Sequence, residues 1–194
     1  MSKFIAQFIS SVVNPLLILA VLPYLLVIKA TGDASKAYFW TVFSLVFIFI
    51  VAVFILIGVE KKYFSDLDVS NRKQRPLLYS FAIATAAVYL GFLYFLKAPE
   101  ILFIALFGVF FGLISMEFIN RITKASLHTA TVSAFTTALT LGFGPIYLFS
   151  FILIPIVAWA RIKTHNHTKR QTLIGSCMGI LITLCVYVIF KYVI

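Results

Sequence analysis

Arg161 to Gln171, reading R-I-K-T-H-N-H-T-K-R-Q, packs four cationic side chains, two of the three histidines and a glutamine into eleven residues between two long apolar runs. A second polar segment, E-F-I-N-R-I-T-K-A-S-L-H from Glu117 to His128, adds Lys124, Ser126 and the remaining histidine. The third, Y-F-S-D-L-D-V-S-N-R-K-Q-R-P from Tyr63 to Pro76, adds Arg72 and Arg75. Guanidinium groups meet phosphoryl oxygens bidentately, and imidazole can attack phosphorus or carry a proton near neutral pH. Arg72, Arg75, Lys124, Ser126 and Arg161 around His128 and His167 therefore have the composition needed to hold a phosphoryl group. Hard divalent ions at phosphate sites use carboxylates, and only Asp66, Asp68 and Glu117 lie nearby. The excess of cations favours a metal-free site with no cofactor.

The elements that must position these residues are apolar. The chain has 194 residues, a mean hydropathy of +1.08 and 11% charged residues, where soluble domains carry about a quarter. It reads as an integral membrane protein: an all-α, polytopic transmembrane helix bundle of six to seven spans, forming one domain over 1–194 because no segment has linker composition. A crossing helix needs about 20 apolar residues. Candidate runs are Phe8 to Ile28, Ala37 to Val59, Pro76 to Leu96, Ile101 to Met116, His128 to Leu141, Ile146 to Ala160 and Thr172 to Phe190. Asn14-Pro15 predicts a kink in the first, and the sixth is short for a crossing. The N-terminus reads as a first membrane helix and not as a removed signal.

Spans three and four form one hairpin and five and six another, so all three polar segments are expected on one membrane face. All of the sixteen Lys and Arg except Lys29, Lys36, Lys97 and Lys191 fall on that face, which makes it cytoplasmic by the positive-inside rule. The net charge of +10 sits at the ends of apolar runs. That placement fits anionic membrane lipids and not nucleic acid. Cys177 and Cys185, both in the last run, read as lipid-facing or packed thiols.

In order and spacing, the three segments resemble the signature motifs of the type 2 phosphatidic acid phosphatase superfamily. The pattern Ser-Arg, five residues, His, three residues, Asp appears as Ala160-Arg161, His167 and Gln171. Pro-Ser-Gly-His appears as Ala125-Ser126-Leu127-His128, and Lys, six residues, Arg-Pro appears as Asp68 and Arg75-Pro76. The resemblance implies a lipid phosphatase acting on a lipid phosphate or polyprenyl diphosphate. His167 would be the nucleophile of a phosphohistidine intermediate, and His128 the acid that protonates the leaving oxygen. Arg75, Arg161 and Ser126 would hold the phosphoryl oxygens, with Arg72 and Lys124 in support of the missing motif Lys. Gln171 stands where the family has the carboxylate that orients the nucleophilic His; an amide orients the ring but stabilises its charged form less.

Each residue also has a structural reading. Ser126 fits a helix N-cap, Glu117 fits an i, i+4 partner of Arg121, and Lys163, Lys169 and Arg170 fit membrane-flanking charges. Other functions considered are a catalytically silent relative, a small transporter, and a membrane prenyltransferase of the UbiA type. The last needs a second Asp-rich motif, and no Asp follows Asp68.

Overall fold

The structure, a computed structural model, describes residues 2–192. Eight α-helices account for most of them: α1 (Ser2–Val12), α2 (Pro15–Thr31), α3 (Ala34–Glu60), α4 (Arg75–Phe95), α5 (Glu100–Ile122), α6 (Leu127–Phe143), α7 (Leu153–Lys163) and α8 (Lys169–Tyr192). Short 3-10 segments, Arg72–Gln74 and Pro145–Ile152, lead into α4 and α7. There is no strand among the described residues.

Five helical stretches are long and apolar enough to cross a membrane: Ala34–Glu60, Arg72–Phe95, Glu100–Ile122, Pro145–Lys163 and Lys169–Tyr192. A sixth exists if α1 and α2, bent by 43° at their break, are one span. This is the make-up of a multi-pass membrane protein. The sequence count of six to seven is reached at its lower end only if that bent pair is one span; otherwise five stretches qualify. The candidate that drops out is α6, whose 17 residues reach about 25 Å against a hydrocarbon core of about 30 Å.

Helix ends follow local chemistry. The predicted kink is a full break, in which the Asn14 side chain accepts from the Leu16 N–H at 2.8 Å and Pro15 opens α2. Asp33 caps α3 by accepting from the Lys36 N–H at 3.0 Å, and this hydrogen bond holds its carboxyl below the ordinary range. Helices α3, α4 and α7 are followed by Lys62, Lys97 and His165 with φ of 64°, 52° and 61°. Glycine is the usual residue in this left-handed conformation. Lys62 and Lys97 also put positive charge near the negative C-terminal ends of α3 and α4, which is favourable.

The chain divides into two compact units, Met1–Ile18 with Ile122–Ile194, and Leu19–Arg121. In the Leu19–Arg121 unit, Val27, Ala37, Trp40, Ala86, Leu93, Leu102 and Leu106 form an apolar core from α2 to α5. Aromatic rings of α3 and α4 interleave beside it, Phe47 lying 4.7 Å from Tyr89, and the Tyr89 hydroxyl pairs with Ser44 Oγ at 2.6 Å. The other unit packs α1 on α7 and α6 on α8. At α6 and α8 the contact is nearly backbone to backbone: a Cβ on Gly175 would meet the Ser126 carbonyl, and one on Gly179 the Ala130 carbonyl. Close approach through small residues is how helices associate where lipid removes the hydrophobic drive.

Candidate functional site

The Arg161 segment is shaped by how α7 stops and α8 starts. At the end of α7 the His165 N–H donates to the Ile162 carbonyl at 3.0 Å, and the Asn166 N–H to that of Arg161 at 3.2 Å. This paired pattern reverses the chain through the left-handed His165. The Arg161 carbonyl also accepts from the His167 N–H at 3.2 Å. Directly after it, Thr168 and Gln171, three residues apart, bond reciprocally: Thr168 N–H to Gln171 Oε1 at 3.1 Å, and Gln171 N–H to Thr168 Oγ1 at 3.3 Å. This is a capping box at the start of α8.

The box constrains His167, whose ring is 7% exposed. Because a backbone N–H can only donate, the Gln171 atom facing Thr168 is its oxygen. That same oxygen lies 3.3 Å from His167 Nδ1. The proton of a neutral ring then belongs on Nδ1, which leaves the lone pair on Nε2.

The segment around Ser126 is stitched to this one. The Ser126 N–H donates to the Gln171 carbonyl at 3.1 Å, Thr129 Oγ1 to the Thr172 carbonyl at 2.9 Å, and Lys124 Nζ to the Asn166 carbonyl at 2.8 Å. Ser126 is fully buried and caps α6, accepting from the Thr129 N–H at 3.4 Å. His128, 6% exposed, sits in the first turn of α6. The first turns of α6 and α8 therefore lie side by side, and the buried His128 and His167 belong to the same end of that pair.

Arg161 is 2% exposed, on the last turns of α7. Its Nη1 donates to Ser10 Oγ on α1 at 2.6 Å. Ser10 is absent from the sequence-based assignment, and nothing local to Arg161 could have signalled a partner 151 positions away. The capping box and the Gly175/Gly179 spacing, by contrast, are short-range patterns that a reading focused on charges passes over.

Arg72 and Arg75 belong to the Leu19–Arg121 unit. Arg75 is buried, and its Nε donates to the Val69 carbonyl at 3.1 Å, tying the 61–74 loop to the start of α4. The Arg72 carbonyl accepts from Asn120 Nδ2 at 3.1 Å. Glu117 pairs with Arg121 at 3.5 Å, as the i, i+4 spacing predicted. Lys163, Lys169 and Arg170 are exposed, as flanking charges are. Cys177 and Cys185 are free and exposed.

The electrostatics of the first unit are one-sided. All six Asp and Glu of the chain fall between Leu19 and Arg121, whereas Lys3, Lys124, Arg161, Lys163, Lys169, Arg170, Lys191 and all three histidines fall outside it. Among the described residues, no group of three or more His, Cys, Asp or Glu is placed to hold a metal ion. A surface groove of about 500 Å³ is lined by residues of α7 and the start of α8, Trp159, Lys163, His165 and Lys169 among others, and includes neither buried histidine.

No protein-family model matches the chain, and neither the curated proteins nor the solved structures contain a match.

Proposed function

We propose that this chain is a metal-independent lipid phosphatase of the membrane that works through a phosphohistidine. The observation that carries the reading is the anchored ring of His167: Nδ1 faces a Gln171 oxygen fixed by the Thr168 N–H, within a unit that has cations and imidazoles but no carboxylate. Such surroundings favour a bound anion, and with Nδ1 directed at the Gln171 oxygen the nucleophilic atom is Nε2.

In this reaction His167 Nε2 forms a bond to phosphorus as the bond to the leaving oxygen breaks, and His128 gives that oxygen its proton. Water then attacks the phosphohistidine, the P–N bond breaks, and His128 takes the proton from the water. Arg161 and the capped start of α6 at Ser126 meet the charge on the phosphoryl oxygens. Lys124 supports the site by holding the 164–168 turn through Asn166. The assignment of Arg72 and Arg75 to the same phosphoryl group rests on motif spacing alone. A lipid phosphate or polyprenyl diphosphate suits a site at the end of membrane helices, in the cell membrane.

The neutral Gln171 favours a second reading, a relative that binds the phosphoryl group without turnover. Phosphate release from phosphatidate in chelated buffer, compared with His167→Ala, decides between them. The phosphatase reading expects a loss of at least about 10³-fold. Equal release by the two proteins sinks it, and no release with retained phosphate binding supports the silent relative.

A further inference from the structure

We propose that Ser10 is a positioning residue for Arg161, so that α1 completes the anion site from the other end of the chain. The inference rests on the reading above in taking Arg161 as the group that meets the phosphoryl charge. Arg161 Nη1 and Ser10 Oγ are 2.6 Å apart, and both residues are buried. A guanidinium only donates, so the hydroxyl is the acceptor. Ala6, one turn before Ser10 and fully buried, is the small residue on the same face of α1 that packs on α7.

The chemistry of the partner matters. A carboxylate here would fix the guanidinium and also cancel its charge, and would repel an incoming phosphate. A hydroxyl fixes its direction and leaves the charge intact. The unit itself contains no Asp or Glu, and neutral oxygens within it bond its cationic and imidazole groups: Ser10 for Arg161, Gln171 for His167 and the Asn166 carbonyl for Lys124. The buried side chain of Arg161 has many rotamers, and a hydrogen bond to a charged group that is lost on truncation reduces transition-state stabilisation about tenfold or more.

The test uses the full chain in detergent, as wild type, Ser10→Ala, Ser10→Thr, Arg161→Ala and the Ser10→Ala/Arg161→Ala double variant. Two readouts are taken, kcat/KM for phosphate release from phosphatidate and the Kd for inorganic phosphate. Ser10→Ala is expected to lose about tenfold in both, with Ser10→Thr within about threefold of wild type because the hydroxyl is kept. In the Arg161→Ala background, Ser10→Ala should cost less than about twofold, since the group it positions is gone. A merely structural Ser10 would give multiplicative losses in the double variant, and that result overturns the proposal. So does an unchanged phosphate Kd in Ser10→Ala alongside a weakened one in Arg161→Ala. If no variant releases phosphate but the Kd pattern holds, the phosphatase reading fails and the positioning role stands.

Discussion

The two units solve the problem of burying polar groups in opposite ways. Between Leu19 and Arg121, cations and carboxylates are mixed, Glu117 pairs with Arg121, Asp33 caps α3, and the interior is filled by large rings such as Trp40, Phe43 and Tyr89. The other unit has no Asp or Glu, α6 and α8 meet closely at two glycines, and Ser10, Gln171 and the Asn166 carbonyl bond Arg161, His167 and Lys124. Mixed charge makes a unit electrically self-sufficient. A unit with seven Lys and Arg and no Asp or Glu suits the anionic substrate proposed above.

The contrast can be broken most sharply at the glycines. Gly179→Val forces a side chain into the Ala130 carbonyl. A loss of about 1–3 kcal/mol or more is expected as a lower thermal midpoint in detergent. Gly112→Ala on α5, where nothing lies within 4 Å of the added Cβ, should instead stabilise by about 0.5–1 kcal/mol. Similar losses at both positions would show that the tight seam is not peculiar to α6 and α8.

Placing an acid in the acid-free unit is the next test. Gln171→Glu preserves the capping box and sets a carboxylate beside His167 Nδ1. A neighbouring negative charge favours the protonated imidazole, so the neutral nucleophile is lost at higher pH as the solution is acidified. The acid limb of the pH–rate profile should therefore move up by about one unit. An unmoved limb would detach His167 from Gln171.

A smaller effect is expected at the turn before α8. His165→Gly relieves the left-handed conformation at φ 61° and should raise stability by about 1 kcal/mol, seen as a higher denaturation midpoint. The smallest effect belongs to the mixed-charge unit. Asp33→Ala removes the α3 cap and its stabilisation, which is present at neutral pH because the folded carboxyl is held below its ordinary range. As the pH falls through that depressed range the carboxylate is protonated and wild type loses the same contribution, so the two melting midpoints should converge in acid.

Much of this molecule is visible in its residues. Apolar runs of about twenty residues mark the membrane helices because the bilayer sets their length, and Asn14-Pro15, Pro76 and Gly144-Pro145 punctuate them where helix breaks or starts occur. Charge and motif spacing picked out Arg161, His128 and His167, which are buried in one unit. What stayed hidden was pairing at a distance. The Ser10 hydroxyl carries no local mark of its guanidinium partner. Whether α6 is a span of its own depends on a length about three residues short of that expected, and the purpose of its Thr129 shows only once α8 is beside it, where the hydroxyl donates to the Thr172 carbonyl. Gln171, read as a substituted carboxylate, has a second task in starting α8 that was legible in Thr168 and Gln171 themselves.

The seam of α6 and α8 also has a consequence for biogenesis. Helix α6 is short and carries a face of threonine and serine hydroxyls, so it is a poor candidate to enter lipid by itself. Its partner α8 is made only after α7. A chain halted before Lys169 would have α6 packed on the 145–152 segment and α7 but without the α8 side of its glycine seam, leaving that polar face uncovered.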